Sequence, residues 1–95
     1  MFLTIDQGTT SSRALLFDEK GKVIDLFQKD FKQIYPNEGW VEHNPLEILS
    51  STILCCESVI SKNSGIEIKS IGITNQRETI LAWDKKTGKP FYNAI

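Results

Sequence analysis

The stretch "DQGTTSSR", residues 6–13, places one acid, one glycine, four hydroxyls and one arginine directly behind the apolar start "MFLTI". The flanking runs "MFLTID" and "RALLFD" read as short strands, so the polar octet is the turn between them. Thr and Ser side chains in a turn ordinarily satisfy local backbone groups. Gly8 adds a second possibility, because a residue without Cβ lets the backbone come close to a ligand. The N–H groups and hydroxyls around it would then form a concave set of donors suited to phosphate oxygens. Asp6, an acid beside anion donors, makes electrostatic sense with a divalent cation in between, usually Mg2+ holding water and phosphate oxygens. Arg13 would neutralise transferred charge. The turn is neither a P-loop nor a dinucleotide fingerprint: no Gly-Lys-Ser/Thr follows, and it leads into a strand without G-x-G-x-x-G.

Outward from this turn, "DEKGK" (18–22) reads as a hairpin turn and "VIDLFQKDF" (23–31) as a third strand, which together make an antiparallel three-stranded meander. "QIYPNEGW" carries Pro36 and Gly39 and is a loop. A helix begins sharply after it, with Asn44 as N-cap, Pro45 at the first helical position and Glu47 completing a capping-box-like "NPLE". Leu46, Leu49, Ile53, Cys56 and Ile60 recur at spacings of three and four, which predicts that this stripe faces the sheet. "KNSG" closes the helix, with Gly65 free to take the left-handed cap. "IEIKSIGIT" (66–74) and "TILAWD" (79–84) are predicted as further strands, the first parallel to one of the meander strands. The fold class is therefore α/β: a mixed sheet with a three-stranded meander, one long helix and a further strand pair.

The chain has 95 residues, 40% of them hydrophobic and 24% charged, with a formal net charge of -1. That is the composition of an ordinary globular domain, with no basic patch to recruit nucleic acid and no apolar run long enough for a membrane span. A domain of this size buries about 60 to 65 per cent of its surface, so its margin of stability is small. Cys55 and Cys56 are the only cysteines. Neighbouring cysteines seldom form an unstrained disulfide, so both are expected as small core residues in a reducing compartment, and a cytoplasmic location follows as the default. His43 has no companion at metal-ligand spacing. Trp40, Glu42 and His43 are expected to anchor the loop before the helix through an indole and polar links. Trp83 and Tyr92 are expected in packing.

An acid-Gly-Thr-Thr turn between antiparallel strands, followed by a third strand and a helix, resembles the actin-like ATPase (ribonuclease H-like) fold. "DQGTTSSR", "GWVEHNP" and "GITNQRE", in this order, resemble the N-terminal part of the FGGY family of carbohydrate kinases, and "WDKKTGKPFYNAI" extends the likeness over essentially the whole chain. "NQRE" points within that family to the members acting on glycerol, because those acting on xylulose or gluconate usually lack it. The resemblance implies ATP or ADP contacts from Thr9, Thr10, Ser11 and Arg13, Mg2+ at Asp6, and glycerol binding by Arg77 and Glu78. The last pair suits a polyol: guanidinium only donates, carboxylate only accepts, and each hydroxyl does both.

Members of this family are several times longer and have two domains, so residues 1–95 are expected to be the N-terminal part of the first domain. On that reading the catalytic base and the adenine-binding domain lie outside the chain, none of the present residues is catalytic, and the chain alone is inactive. The apolar ending "FYNAI" reads as a strand cut short. A non-catalytic binding or self-associating module, a homodimer through uncovered sheet edges, and another FGGY sugar kinase stay open as alternatives.

Overall fold

A computed structural model describes residues 1–95. Three strands, β1 (Phe2–Gln7), β2 (Ser11–Phe17) and β3 (Val23–Asp30), precede one helix, α1 (Pro45–Lys62), and a fourth strand, β4 (Ser70–Thr74). The sheet order is β3-β2-β1-β4; the first three strands form the expected antiparallel meander, and β4 lies parallel to β1. β4 begins four residues later than the expected strand over 66–74. The predicted strand over 79–84 does not join the sheet. It pairs irregularly with the chain's end, through Ile80–Ile95 and Phe91–Ala82 backbone hydrogen bonds and an isolated Trp83–Pro90 bridge.

Both lysine-glycine turns are built alike, around an aspartate that replaces absent backbone partners. Asp18 Oδ1 accepts from the N–H of Lys20 and Lys22, each at 2.9 Å, and Gly21 takes φ 79°. Asp84 Oδ1 accepts from the N–H of Lys86 and Thr87, at 2.9 and 2.7 Å, before Gly88 at φ 72°. The Thr87 bonds, then that from Lys86, hold the Asp84 carboxyl below its ordinary range.

Asn44 caps α1 as expected, its Oδ1 accepting from Leu46 N–H at 3.0 Å ahead of Pro45. Glu47 does not close the capping box: its Oε1 accepts instead from Lys32 N–H at 2.9 Å, tying the helix to the segment after β3. At the other end Asn63 is the cap, its amide donating to Val59 O and to Asp25 Oδ2. Gly65 adopts the left-handed φ of 88° in the turn beyond.

The predicted helix stripe is wrong. Leu46, Leu49, Ile53 and Ile60 are exposed and Cys56 is half-buried, whereas Ser51, Cys55 and Val59 face the sheet. The core joins Leu3, Ala14, Cys55 and Val59, with Phe27, Cys56 and Ile68 packed against it. The reason lies in what the sheet offers. Alternation along β1 and β2 puts Leu3 and Leu16 on the helix face near one end, and Gln7 and Ser12 on it near the other. A polar sheet end needs polar helix partners, because an unsatisfied buried group costs about 1–3 kcal/mol. Ser51 and Thr52 supply them, and that match sets the rotation of α1. Burial pushes both thiols up, so Cys55 and Cys56 are free structural cysteines.

Candidate functional site

The β1–β2 connection is a tight turn in which Gly8 N–H donates to Ser11 O at 3.0 Å. A Cβ on Gly8 would stand 3.2 Å from that same oxygen, so the residue must be glycine for the turn to close without displacement. The two carbonyls at its tip are tied back to the chain after β3: Phe31 N–H donates to Thr10 O at 3.2 Å, and Gln33 Nε2 donates to Thr9 O at 3.1 Å. With the carbonyls held away, the N–H groups and hydroxyls of Thr9 and Thr10 have no partner within the chain. They border a cleft of about 420 Å3.

The same cleft is lined by Arg77 and Glu78, in the segment that follows β4. Both are exposed and they form no ion pair with each other or with any other side chain. Glu78 has φ 58°, the one non-glycine residue of the chain in the left-handed region. A carboxylate-bearing residue held there costs about 1–2 kcal/mol, and such strain concentrates at binding sites. Thr9, Thr10, Arg77 and Glu78 thus converge, although the sequence separates them by more than sixty positions.

Asp6, Ser11 and Arg13 do not line the cleft. Asp6 and Arg13 are cross-strand partners one step out of phase with Gln7 and Ser12, so they project from the sheet face opposite α1. Arg13 Nη2 donates to Asp6 Oδ2 at 2.7 Å, both side chains being partly exposed. Arg13 Nε is buried without a partner. Ser11 Oγ, on the same face, accepts from Gln28 Nε2 at 2.9 Å. The chain has no group of three or more His, Cys, Asp and Glu side chains arranged to hold a metal. The carboxylate of Asp6, with one oxygen on Arg13, suits a cation that takes most of its ligands from water and phosphate, as Mg2+ does.

Beneath the turn lies a buried polar cluster. Gln7 Oε1 accepts from Ser12 Oγ at 2.8 Å and from Thr52 Oγ1 at 2.6 Å, and Ser12 Oγ meets Ser51 Oγ at 2.7 Å. Beside the cleft, His43 is buried, its Nε2 2.7 Å from Gln33 Oε1 and its Nδ1 3.4 Å from Gln76 Nε2. Glu42 is likewise buried, bonded by Asn93 Nδ2 and by Tyr92 O–H. Polar links therefore do anchor the loop before the helix, but the indole does not: Trp40 is 58% exposed, and Trp83 and Tyr92 are as open. The sequence reading gave no role to Gln33, which carries no spacing signal, or to Gln76, although it lies within the quoted "NQRE".

Residues 1–95 match the model of the N-terminal domain of the FGGY family of carbohydrate kinases. The chain is 60% identical over 96 residues to a glycerol kinase of Marinomonas sp. (strain MWYL1), covering 98% of this chain and 19% of that protein. Against a protein named glycerol kinase 2 of Thermotoga maritima the identity is 58%, with the same coverage. Among solved structures, Plasmodium falciparum glycerol kinase with ADP superposes with a TM-score of 0.95 at 39% identity, over 99% of this chain and 19% of that one. A xylulose kinase of Lactobacillus acidophilus shares the fold, with a TM-score of 0.87 at 21% identity over 100% of this chain and 19% of that one. The chain spans about a fifth of the length of these relatives.

Proposed function

This chain belongs to the FGGY family of carbohydrate kinases, and we propose that it is the N-terminal part of the first domain of an ATP:glycerol 3-phosphotransferase. The observation that carries the reading is that the unpartnered donors of Thr9 and Thr10 line the same cleft as Arg77 and Glu78. Phosphoryl transfer is catalysed by holding donor and acceptor oxygens in line while charge is neutralised. The turn supplies backbone and hydroxyl donors for phosphate oxygens of ATP, and Arg77 and Glu78 supply the donor and acceptor that glycerol hydroxyls need. Ser11 and Arg13 extend the phosphate contacts on the far face of the sheet, and Asp6 would hold Mg2+. The cation, when bound, neutralises charge on the phosphate oxygens.

In this reading Glu78 binds a glycerol hydroxyl and the base that takes the proton of the attacking hydroxyl is supplied by another part of the full polypeptide, so residues 1–95 alone are inactive. A cytoplasmic site of action accompanies a substrate such as ATP. The test is ATP-dependent formation of glycerol 3-phosphate by the full polypeptide that carries this domain, beside parallel assays with xylulose and gluconate. Turnover of glycerol in preference to the other two is expected. Turnover of a sugar without glycerol would replace the substrate assignment, and turnover by residues 1–95 alone would overturn the claim of inactivity.

A second reading rests on the exposed apolar surface. Leu46, Leu49, Trp83 and Pro90 line an open groove, and Ile71 and Ile73 on β4 are exposed at the sheet edge. For residues 1–95 in isolation this surface favours self-association as a homodimer. A monomeric mass at high concentration by light scattering would rule that out. No helix is long and apolar enough to cross a membrane.

A further inference from the structure

The imidazole of His43 stands in a chain of hydrogen bonds that runs from the phosphate turn to the residue preceding Arg77. Each link has a fixed direction. Gln33 Nε2 faces two carbonyls, Thr9 O at 3.1 Å and Phe31 O at 3.4 Å, which only accept, so its amide cannot be reversed. Gln33 Oε1 therefore points at His43 and can only accept, which requires the proton on His43 Nε2, 2.7 Å away. Nδ1 is then bare and accepts from Gln76 Nε2 at 3.4 Å. Gln76 is the immediate neighbour of Arg77 and Glu78, and its Oε1 is buried with no partner.

The ring is held by more than these bonds. His43 N–H donates to Ala94 O and His43 O accepts from Ala94 N–H, each at 2.9 Å, and the ring meets Phe31 edge to face with centroids 5.0 Å apart. Burial lowers the His43 pKa, with the charge of Glu47 opposing, which keeps the neutral form that the chain requires. Arg77 and Glu78 border the same cleft, and Glu42 is its chain neighbour, engaged by Asn93 and Tyr92.

We propose that His43 is a positioning residue: as the neutral Nε2–H imidazole it ties Thr9 of the phosphate turn, through Gln33, to Gln76, and so sets the distance between the phosphate site and the Arg77–Glu78 polyol site. The role rests on the kinase reading above for its catalytic consequence, but not for the tautomer. It is distinct from packing, because two substitutions separate the two. His43→Phe keeps an aromatic ring against Phe31 and removes both bonds. His43→Gln loses the ring but offers one donor and one acceptor to the same partners.

In the full polypeptide carrying this domain, His43→Phe is expected to raise the glycerol KM about tenfold and lower kcat, while His43→Gln stays within about threefold of the parent. An active Phe variant with an impaired Gln variant, or equal effects of the two, would overturn the proposal. Circular dichroism checks that both variants fold. Independently of activity, 15N NMR of the imidazole near neutral pH is expected to show a protonated Nε2 and a bare Nδ1, and the opposite tautomer or a cationic ring would overturn it. A parent that phosphorylates no glycerol would remove the kinase reading and leave the tautomer measurement to decide the relay.

Discussion

The polar cluster under the β1–β2 turn predicts a specific failure of additivity. Ser12 is fully buried, and its hydroxyl donates to Gln7 Oε1 while meeting Ser51 Oγ. In Ser12→Ala, Ser51 Oγ still has Ile48 O at 2.9 Å and Gln7 Oε1 still has Thr52 Oγ1, so no group is stranded. The loss is two hydrogen bonds at roughly 1 kcal/mol each, less a small gain from burying a methyl, or about 1–2 kcal/mol. Thr52→Val removes the other donor to Gln7 Oε1 and costs about 1 kcal/mol, because Ser12 still serves it. In the double variant Gln7 Oε1, half-buried, has no donor left, and its incomplete solvation adds about 1 kcal/mol, the low end of the cost of an unsatisfied group.

The double variant should therefore be less stable than the sum of the singles by about 1 kcal/mol. For a chain of this size each kcal/mol lowers Tm by about 4–8 °C, which is readily measured. Urea unfolding followed by far-ultraviolet circular dichroism is the suitable assay, since α1 supplies 18 helical residues. Trp40 and Trp83 are exposed in the fold, at 58% and 57%, and would report poorly by fluorescence. A coupling below about 0.5 kcal/mol would refute the reasoning, because it would mean that water reaches Gln7 Oε1 and the cluster does not act as a closed unit.

Glu78→Gly should leave stability unchanged or slightly higher, since glycine relieves the left-handed φ of 58°, while glycerol affinity measured by calorimetry on the full polypeptide falls by about tenfold or more. Leu49→Lys, on the exposed helix stripe, should change the stability of residues 1–95 by less than about 0.5 kcal/mol, whereas Val59→Ala, fully buried, should cost about 2 kcal/mol; the reverse order in urea melts would restore the rejected helix face. Because burial lowers the His43 pKa in the fold, the unfolded chain binds more protons between the folded value and about 6.5, so stability is gained as pH rises through that window and lost as it falls. His43 is the only histidine, so His43→Gln should flatten this part of the urea-midpoint profile while leaving the acid limb of the carboxylates.

The succession of three strands, a helix and a strand was legible from local signals. Asp18 and Gly21, Asp84 and Gly88, and Asn44 with Pro45 each act within a few residues, so their turns and cap follow from the sequence directly. The motifs "DQGTTSSR" and "NQRE" stood out in the sequence for the same reason, and Thr9, Thr10, Arg77 and Glu78 from them line one cleft. The strand over 79–84 was misjudged because a strand needs a partner as well as a pattern, and its partner is the irregular end of the chain.

What the sequence determined by itself is the run of three strands, one helix and a later strand, with the turns and cap between them. Tertiary structure alone decided how they face one another. The apolar stripe on α1 lost to the face that carries Ser51, Cys55 and Val59, where Ser51 and Thr52 meet half-buried Gln7 and fully buried Ser12. Strand alternation sent Asp6 and Arg13 to one face while the turn beyond them carried Thr9 and Thr10 to the cleft. The alignment of His43 with Gln33 and Gln76 arises from contacts across ten and thirty-three residues, and hydrogen bonds of that reach leave no period in the chain from which they can be read.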